Sequence, residues 1–290
     1  MIGATLFSGG RGAECLLRDV IDFRFAVECD AQIAAVGTQL GGHTFVNKVE
    51  DVDYSTWGAL DYLHASPVCK EYSQAKTGGT EGESDMTSAA AVVRCLEATQ
   101  PRVFTLENVG AYQHGQAYRL ICQWLNHNGY MWHAQVLNAA DYGVPQTRRR
   151  LILRAVKDAL LPGLPQPVAW RGWYGAIEDL IPTLPRRKVP PRLDYAPVGS
   201  LIDQCNARYG KVTILPVGIP AFTMACYSTK HPSPRIRIET GDYATTPRVV
   251  ARFQSFPDWY ELPSKAGLAC TVVGNAVPSL LMSEIVRPLL

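Results

Sequence analysis

The chain has 290 residues, 47% of them apolar, with a formal net charge of +2. That length suits one large α/β domain, or a domain with a smaller lobe, and it supports a sizeable core. The charge is too weak to establish nucleic-acid binding from bulk electrostatics, so any anionic partner must be met by local patches.

Short apolar runs alternate with helical patterns through the first half. The first, "ATLF", leads into "SGGRGAE", a strand running into a glycine-rich turn and then a helix. Glycines let backbone amides approach a ligand, and a helix N-terminus favours negative charge. A plain tight turn explains the same residues. The next run, "FRFAV", is followed by Glu28, where a carboxylate can accept both ribose hydroxyls of a nucleoside. Together they favour a nucleoside-containing cofactor, with NAD and S-adenosylmethionine both open.

"TFVN" and "YLHA" read as the third and fourth strands, and "SPVCKEYS" follows the fourth. Ligands of open α/β sheets bind beyond the carboxyl ends of strands. Cys69 is therefore either a buried thiol or a nucleophile aimed at a substrate. The polar, glycine-containing segment after it has the character of a closing lid. A helix is expected over about 85–97, capped by Ser84 or Asp85, with Val92, Val93 and Leu96 inward. "RVFTL" then ends in Glu107 and Asn108. An acid leaving an apolar strand is costly unless it has a task, a cap or a salt bridge.

Residues 116–128 carry Ala117, Leu120, Ile121, Trp124 and Leu125 on one helical face, and Gly129 closes that helix. "HAQVL" and "LILRAV" are the last strands of the series, and "VPQTRRR" precedes the second. Alternation sends Arg148 and Arg150 to one side and Arg149 to the other. The three are either a solvated basic turn or contacts to phosphate or base. Repeated strand–helix–strand units imply a mostly parallel, doubly wound sheet.

After Val156 the character changes. Thirteen of the twenty prolines fall between residues 157 and 247, and periodicity fades. A loop-rich lobe is expected there, with the helical "SLLMSEIVRPLL" returning to the first domain. The boundaries are 1–157 plus 259–290 for a catalytic, cofactor-binding domain and 158–258 for the lobe. Eight cysteines (Cys15, Cys29, Cys69, Cys95, Cys122, Cys205, Cys226 and Cys270) form no CxxC pair, which argues against a zinc knuckle. "MIGATLFSGG" has no basic leader, and no apolar run approaches a membrane span. A reduced, cytoplasmic compartment is the expectation.

In order, "FSGGRG", "SPVCKEYS", "ENV", "QTRRR", "TPRVVARFQSFPD" and "GNAVP" make the chain resemble the DNA cytosine-5 methyltransferase family across nearly everything except residues 157–240. The chain departs from the family pattern in places: Val68 stands where a proline usually precedes the nucleophile, Lys70 replaces a common glutamine, Arg11 replaces a glycine, and Lys48-Val49 occupies the approximate place of a third-strand acid. The resemblance implies a Rossmann-like S-adenosylmethionine-dependent sheet with a small target-recognition lobe. It implies methyl transfer to C5 of a flipped-out cytosine in DNA through a covalent Cys69 adduct. Cys69, Glu107, Asn108, Arg148 and Arg150 would be catalytic. Phe7, Ser8, Gly9, Gly10, Gly12, Glu28, Cys29, Val49, Pro67, Asn275 and Ala276 would bind the cofactor, and Ser66, Ser73, Gln146, Arg148 and Thr223 the substrate. The partner would be double-stranded DNA, met by a monomer that needs no metal and no membrane, in a DNA-methylation or restriction–modification setting. The rivals are a catalytically impaired DNA-binding relative, an RNA cytosine-5 methyltransferase built on the same motifs, and a dinucleotide oxidoreductase. The last leaves Cys69, Glu107 and the arginines idle.

Overall fold

The computed structural model describes residues 1–68, 82–203, 212–224 and 234–290. They form two compact units. The first is Met1–Asn138, Arg149–Gln166 and Met282–Leu290, and the second is Ala139–Arg148 and Pro167–Leu281.

The first unit is built on seven strands: β1 (Ile2–Leu6), β2 (Asp22–Val27), β3 (His43–Phe45), β4 (Tyr62–Ala65), β5 (Val103–Asn108), β6 (Tyr130–Asn138) and β7 (Arg149–Lys157). Their order is β3-β2-β1-β4-β5-β7-β6. The first five are mutually parallel, and β7 runs antiparallel to both β5 and β6. Every residue of β4 and β5 is buried, as expected of parallel strands covered on both faces. Three helices lie among them: α1 (Ala31–Gly37), α2 (Glu83–Thr99) and α3 (Gln116–His127). Ala117, Ile121 and Leu125 of α3 are buried at helical spacing and join Leu63, Phe104 and Leu106 in one core with Val92 and Leu96 of α2.

Two local expectations are corrected here. The N-cap of α2 is Gly82, and Asp85 sits three residues in, its carboxylate accepting the Gly82 N–H at 3.0 Å. The glycine turn is followed by a three-residue 3₁₀ turn, Gly12–Glu14, instead of an α-helix. Arg11, just before it, takes the left-handed conformation (φ 62°), and its guanidinium pairs with Glu14 and donates to the Gly37 and Phe23 carbonyls.

The second unit carries four short antiparallel strands, β8 (Ser200–Asp203), β9 (Thr213–Pro216), β10 (Arg235–Ile238) and β11 (Gly241–Ala244), in the order β11-β10-β8-β9. It also contains α4 (Pro247–Phe253) and α5 (Ala266–Asn275), while α6 (Ser279–Val286) crosses the unit boundary. The divisions differ from the sequence expectation. Ala139–Arg148 falls in the second unit, where Gln146 bridges Ala221 and the Thr147 N–H donates to the Ala221 carbonyl at 2.7 Å. Contrary to expectation, the run Ala266–Leu289 is long and apolar enough to cross a membrane by length and composition. It is interrupted between α5 and α6, and 56% of its most apolar window is buried, the pattern of core helices.

Candidate active site

The strand order reverses between β1 and β4, and β1, β2, β4 and β5 all end on the same edge of the sheet. Such a switch point opens a crevice beyond the strand ends. The exits of these strands are Phe7, Glu28, Ser66 and the Glu107-Asn108 pair.

The glycine turn is strained and braced. Phe7 and Gly9 have φ of 56° and 54°, so two residues in three occupy the left-handed region, which is costly for the non-glycine one. The Ser8 N–H donates to the Val27 carbonyl at 2.9 Å, and the Gly9 N–H donates to Glu28 Oε2 at 2.9 Å. Glu28 Oε1 accepts the Asp30 N–H at 2.8 Å and the Cys29 thiol at 3.6 Å. Burial, seconded by the Glu28 charge, pushes the Cys29 thiol up and keeps it a neutral donor. Oε2 therefore retains an acceptor site, Ser8 Oγ is buried without a partner among the described residues, and the space where a Gly9 Cβ would stand is open. This cradle fits a polar nucleoside group. Val49 lies buried in the turn after β3, its carbonyl accepting from Tyr54 Oη at 2.6 Å. Gly10 and Gly12 are buried within the first turn.

A second cluster forms at the ends of β4 and β5. Glu107 is 7% exposed, and its Oε1 meets Arg150 Nε at 2.9 Å. Strand register explains the pair: Glu107 stands opposite Ile152, and Arg150 lies two residues along β7 on the same face. Asn108 points to the other face, where its Nδ2 donates to the Pro67 carbonyl at 3.1 Å. Its Oδ1 accepts the Val109 N–H at 2.8 Å. Asn108 thus ties the end of β5 to the segment Ser66–Val68. Cys69 and Ser73 lie outside the described residues.

The remaining candidates belong to the second unit. Gln146 is fully buried, with both side-chain polar atoms unpartnered among the described residues, and Arg148 is 2% exposed. Exposed Thr223 donates to the Thr147 carbonyl at 2.5 Å. Asn275 is exposed at the end of α5, and Ala276 follows it. Among the described residues, no group of three or more His, Cys, Asp or Glu side chains could hold a metal ion.

Two buried polar groupings near the crevice escaped the sequence reading. Arg11 is 1% exposed, pairs with Glu14 at 2.6 Å and donates to the Gly41 carbonyl. His64 and Thr105, side by side on β4 and β5, are hydrogen-bonded within the sheet's interior. For His64 and Thr105 the available signal was a polar residue within each apolar strand; Arg11 and Glu14 lie in the turn after β1.

The family of C-5 cytosine-specific DNA methylases matches residues 2–170 and 207–290. Among curated relatives, the type II methyltransferase M.AplI of Arthrospira platensis is 29% identical over 239 residues, covering 78% of this chain and 67% of its own. M.HhaI of Haemophilus parahaemolyticus is 25% identical over 294 residues, covering 92% and 84%. Among solved structures, Spodoptera frugiperda DNMT2 superimposes with a TM-score of 0.74 at 15% identity, over 99% of both chains. A putative DNA modification methyltransferase from an E. coli prophage gives 0.66 at 16%, over 99% and 97%. The structural likenesses establish the Rossmann-like methyltransferase fold. With the family match spanning both units, the chain belongs to the C-5 cytosine-specific DNA methylases and is a DNA cytosine-5 methyltransferase, not a dinucleotide oxidoreductase.

Proposed function

We propose that the protein methylates C5 of a flipped-out cytosine in double-stranded DNA through a covalent bond from Cys69. The observation that carries this reading is the Asn108–Pro67 hydrogen bond beside the Glu107–Arg150 ion pair. It sets a buried carboxylate next to the segment that enters Cys69.

Cytosine C5 is a weak nucleophile. Addition of the Cys69 thiolate to C6 turns the ring into an enamine whose C5 can take a methyl group. A proton carried by Glu107 is donated to N3, where negative charge develops on the ring, while the other Glu107 oxygen accepts from the exocyclic amine; Arg150 orients Glu107 and itself faces O2. Loss of the C5 proton, to water, then expels the Cys69 thiolate and restores the double bond. S-adenosylmethionine, when bound, supplies an electrophilic methyl group. Phe7, Ser8, Gly9, Gly10, Gly12, Glu28, Cys29, Val49, Pro67, Asn275 and Ala276 would hold it. The target atoms are inaccessible in a duplex, so the base leaves the stack. Ser66, Ser73, Gln146, Arg148 and Thr223 would contact the nucleic acid, and residues 158–258 would choose the sequence.

Incubation with S-adenosylmethionine and either duplex DNA or tRNA, followed by base-resolution mapping of 5-methylcytosine, tests this. Methylation confined to DNA is expected. Methylation of tRNA alone, or cofactor binding without transfer, would overturn it. Glu28→Ala should weaken calorimetric binding of S-adenosylmethionine by roughly 1–3 kcal/mol, the cost of a lost charged hydrogen bond.

A further inference from the structure

Four side chains form a buried chain beneath the crevice. Tyr62 Oη lies 2.7 Å from Thr105 Oγ1, Thr105 Oγ1 lies 2.9 Å from His64 Nδ1, and His64 Nε2 lies 3.1 Å from Ser66 Oγ. Tyr62, His64 and Thr105 are at most 2% exposed, while Ser66 is half-buried at the mouth. His64 stands in register with Thr105, and Thr105 is two residues from Glu107, so all three share one face of the sheet. Polar groups buried in two central strands cost free energy unless each finds a partner.

A count of protons fixes the direction of the chain. Burial pushes His64 down to about 4, so its ring is neutral and carries one proton. Tyr62 and Thr105 have no other side-chain hydrogen-bond partner among the described residues. If Thr105 donated to Tyr62, the phenolic proton would be stranded in the core. If His64 Nδ1 donated to Thr105, the Thr105 proton or the Tyr62 proton would be stranded instead. Every buried proton is used only when Tyr62 donates to Thr105, Thr105 donates to Nδ1, and an Nε2–H donates to Ser66 Oγ. This tautomer is assigned from the network. Ser66 then keeps its own hydroxyl proton to donate. Its backbone N–H donates to the Leu6 carbonyl at 3.3 Å, so it sits between the glycine turn and the Cys69 segment. Among the described residues the chain ends at Tyr62.

We propose that Tyr62, Thr105 and His64 are positioning residues that commit Ser66 Oγ to donate a hydrogen bond to an acceptor on bound substrate, either the methyl donor or the target nucleotide. The proposal rests on the methyltransferase reading for its substrates but not for its hydrogen-bond direction. Nitrogen-15 NMR of the histidine-labelled protein reads that direction without any activity. His64 should be the Nε2–H tautomer through about pH 6–8, the range in which an ordinary histidine titrates. An Nδ1–H tautomer would overturn the proposal even if methylation is observed.

Kinetics read the consequence. Thr105→Val should reduce either the affinity for S-adenosylmethionine or the single-turnover rate on DNA by about tenfold, the scale of a slightly misplaced contact. The first loss assigns the acceptor to the methyl donor, the second to the nucleotide. Thr105→Ser, which keeps the hydroxyl, should restore the value. Ser66→Ala should show the same loss, and the double variant no more than either single one. A Thr105→Val protein that melts earlier but keeps both quantities at wild-type values would overturn the proposal. If the wild type methylates nothing, the functional reading fails, while NMR and cofactor calorimetry still decide the role of this chain.

Discussion

The most deeply buried ion pairs of the two units lie at different depths. The seven-stranded unit buries an ion pair outright: the Arg11 and Glu14 side chains are 1% and 2% exposed. The ion pairs of the four-stranded unit lie nearer to solvent. Arg237, 12% exposed, reaches Asp242 at 2.9 Å and Asp194 at 2.8 Å, and those carboxylates are 18% and 77% exposed. Arg252 is similarly shared between Asp179 and Asp258. The buried pair carries a high desolvation cost and is intolerant of losing one member, whereas the shared networks lose little at their solvent-facing ends.

The titration behaviour differs in sign as well. Burial holds the Glu14 carboxyl above its usual range, against the opposing pull of Arg11. The folded chain then binds that proton more tightly than the unfolded one, so this group's contribution declines as pH rises through the ordinary carboxylate range and beyond. Hydrogen bonding from Arg237 holds the Asp242 carboxyl below its usual range. Its contribution is present above the unfolded value and is lost as pH falls through the folded one.

Graded substitutions sharpen this contrast. Arg11→Met leaves a buried carboxylate uncompensated and should cost about 3–5 kcal/mol in urea unfolding at neutral pH. That deficit should shrink below about pH 4.3, where the carboxyl is neutral in both states. Asp242→Asn removes a charge that Arg237 and the Val189 N–H both use, and should cost about 1–3 kcal/mol. Its deficit should vanish in acid because the wild type loses the same interaction. Asp194→Asn, at the exposed end of the network, should cost less than about 1 kcal/mol, and less again at high salt. Equal losses from Arg11→Met and Asp194→Asn would break the comparison.

The same division marks what the sequence made legible. In the first unit, apolar runs bounded by turns located all seven strands, and the periodicity of Ala117, Ile121 and Leu125 located α3, because one signal dominates each segment. In the second, strands of only four residues among prolines leave no period to read, so the sequence of β8–β11 has the character of loop. Glu28, Glu107 and Asn108 were legible because they break apolar runs at strand exits. What they bond to was not: Glu28 bracing Gly9 and Asn108 holding Pro67 depend on register and on contacts between residues 19 and 41 positions apart. Thr105 and His64 lie in mid-strand, where a polar residue gains its partner from the neighbouring strand. Composition alone carries no trace of that pairing.

The central claim is covalent catalysis by Cys69, and trapping tests it most directly. DNA containing 5-fluorocytosine at the target cannot lose its C5 substituent as a cation, so elimination stalls after methyl transfer. The account predicts a protein–DNA adduct that survives denaturing electrophoresis, requires S-adenosylmethionine, maps to Cys69 by peptide mass and is absent in Cys69→Ser. An adduct on another cysteine, or undiminished DNA methylation by Cys69→Ala, would contradict it.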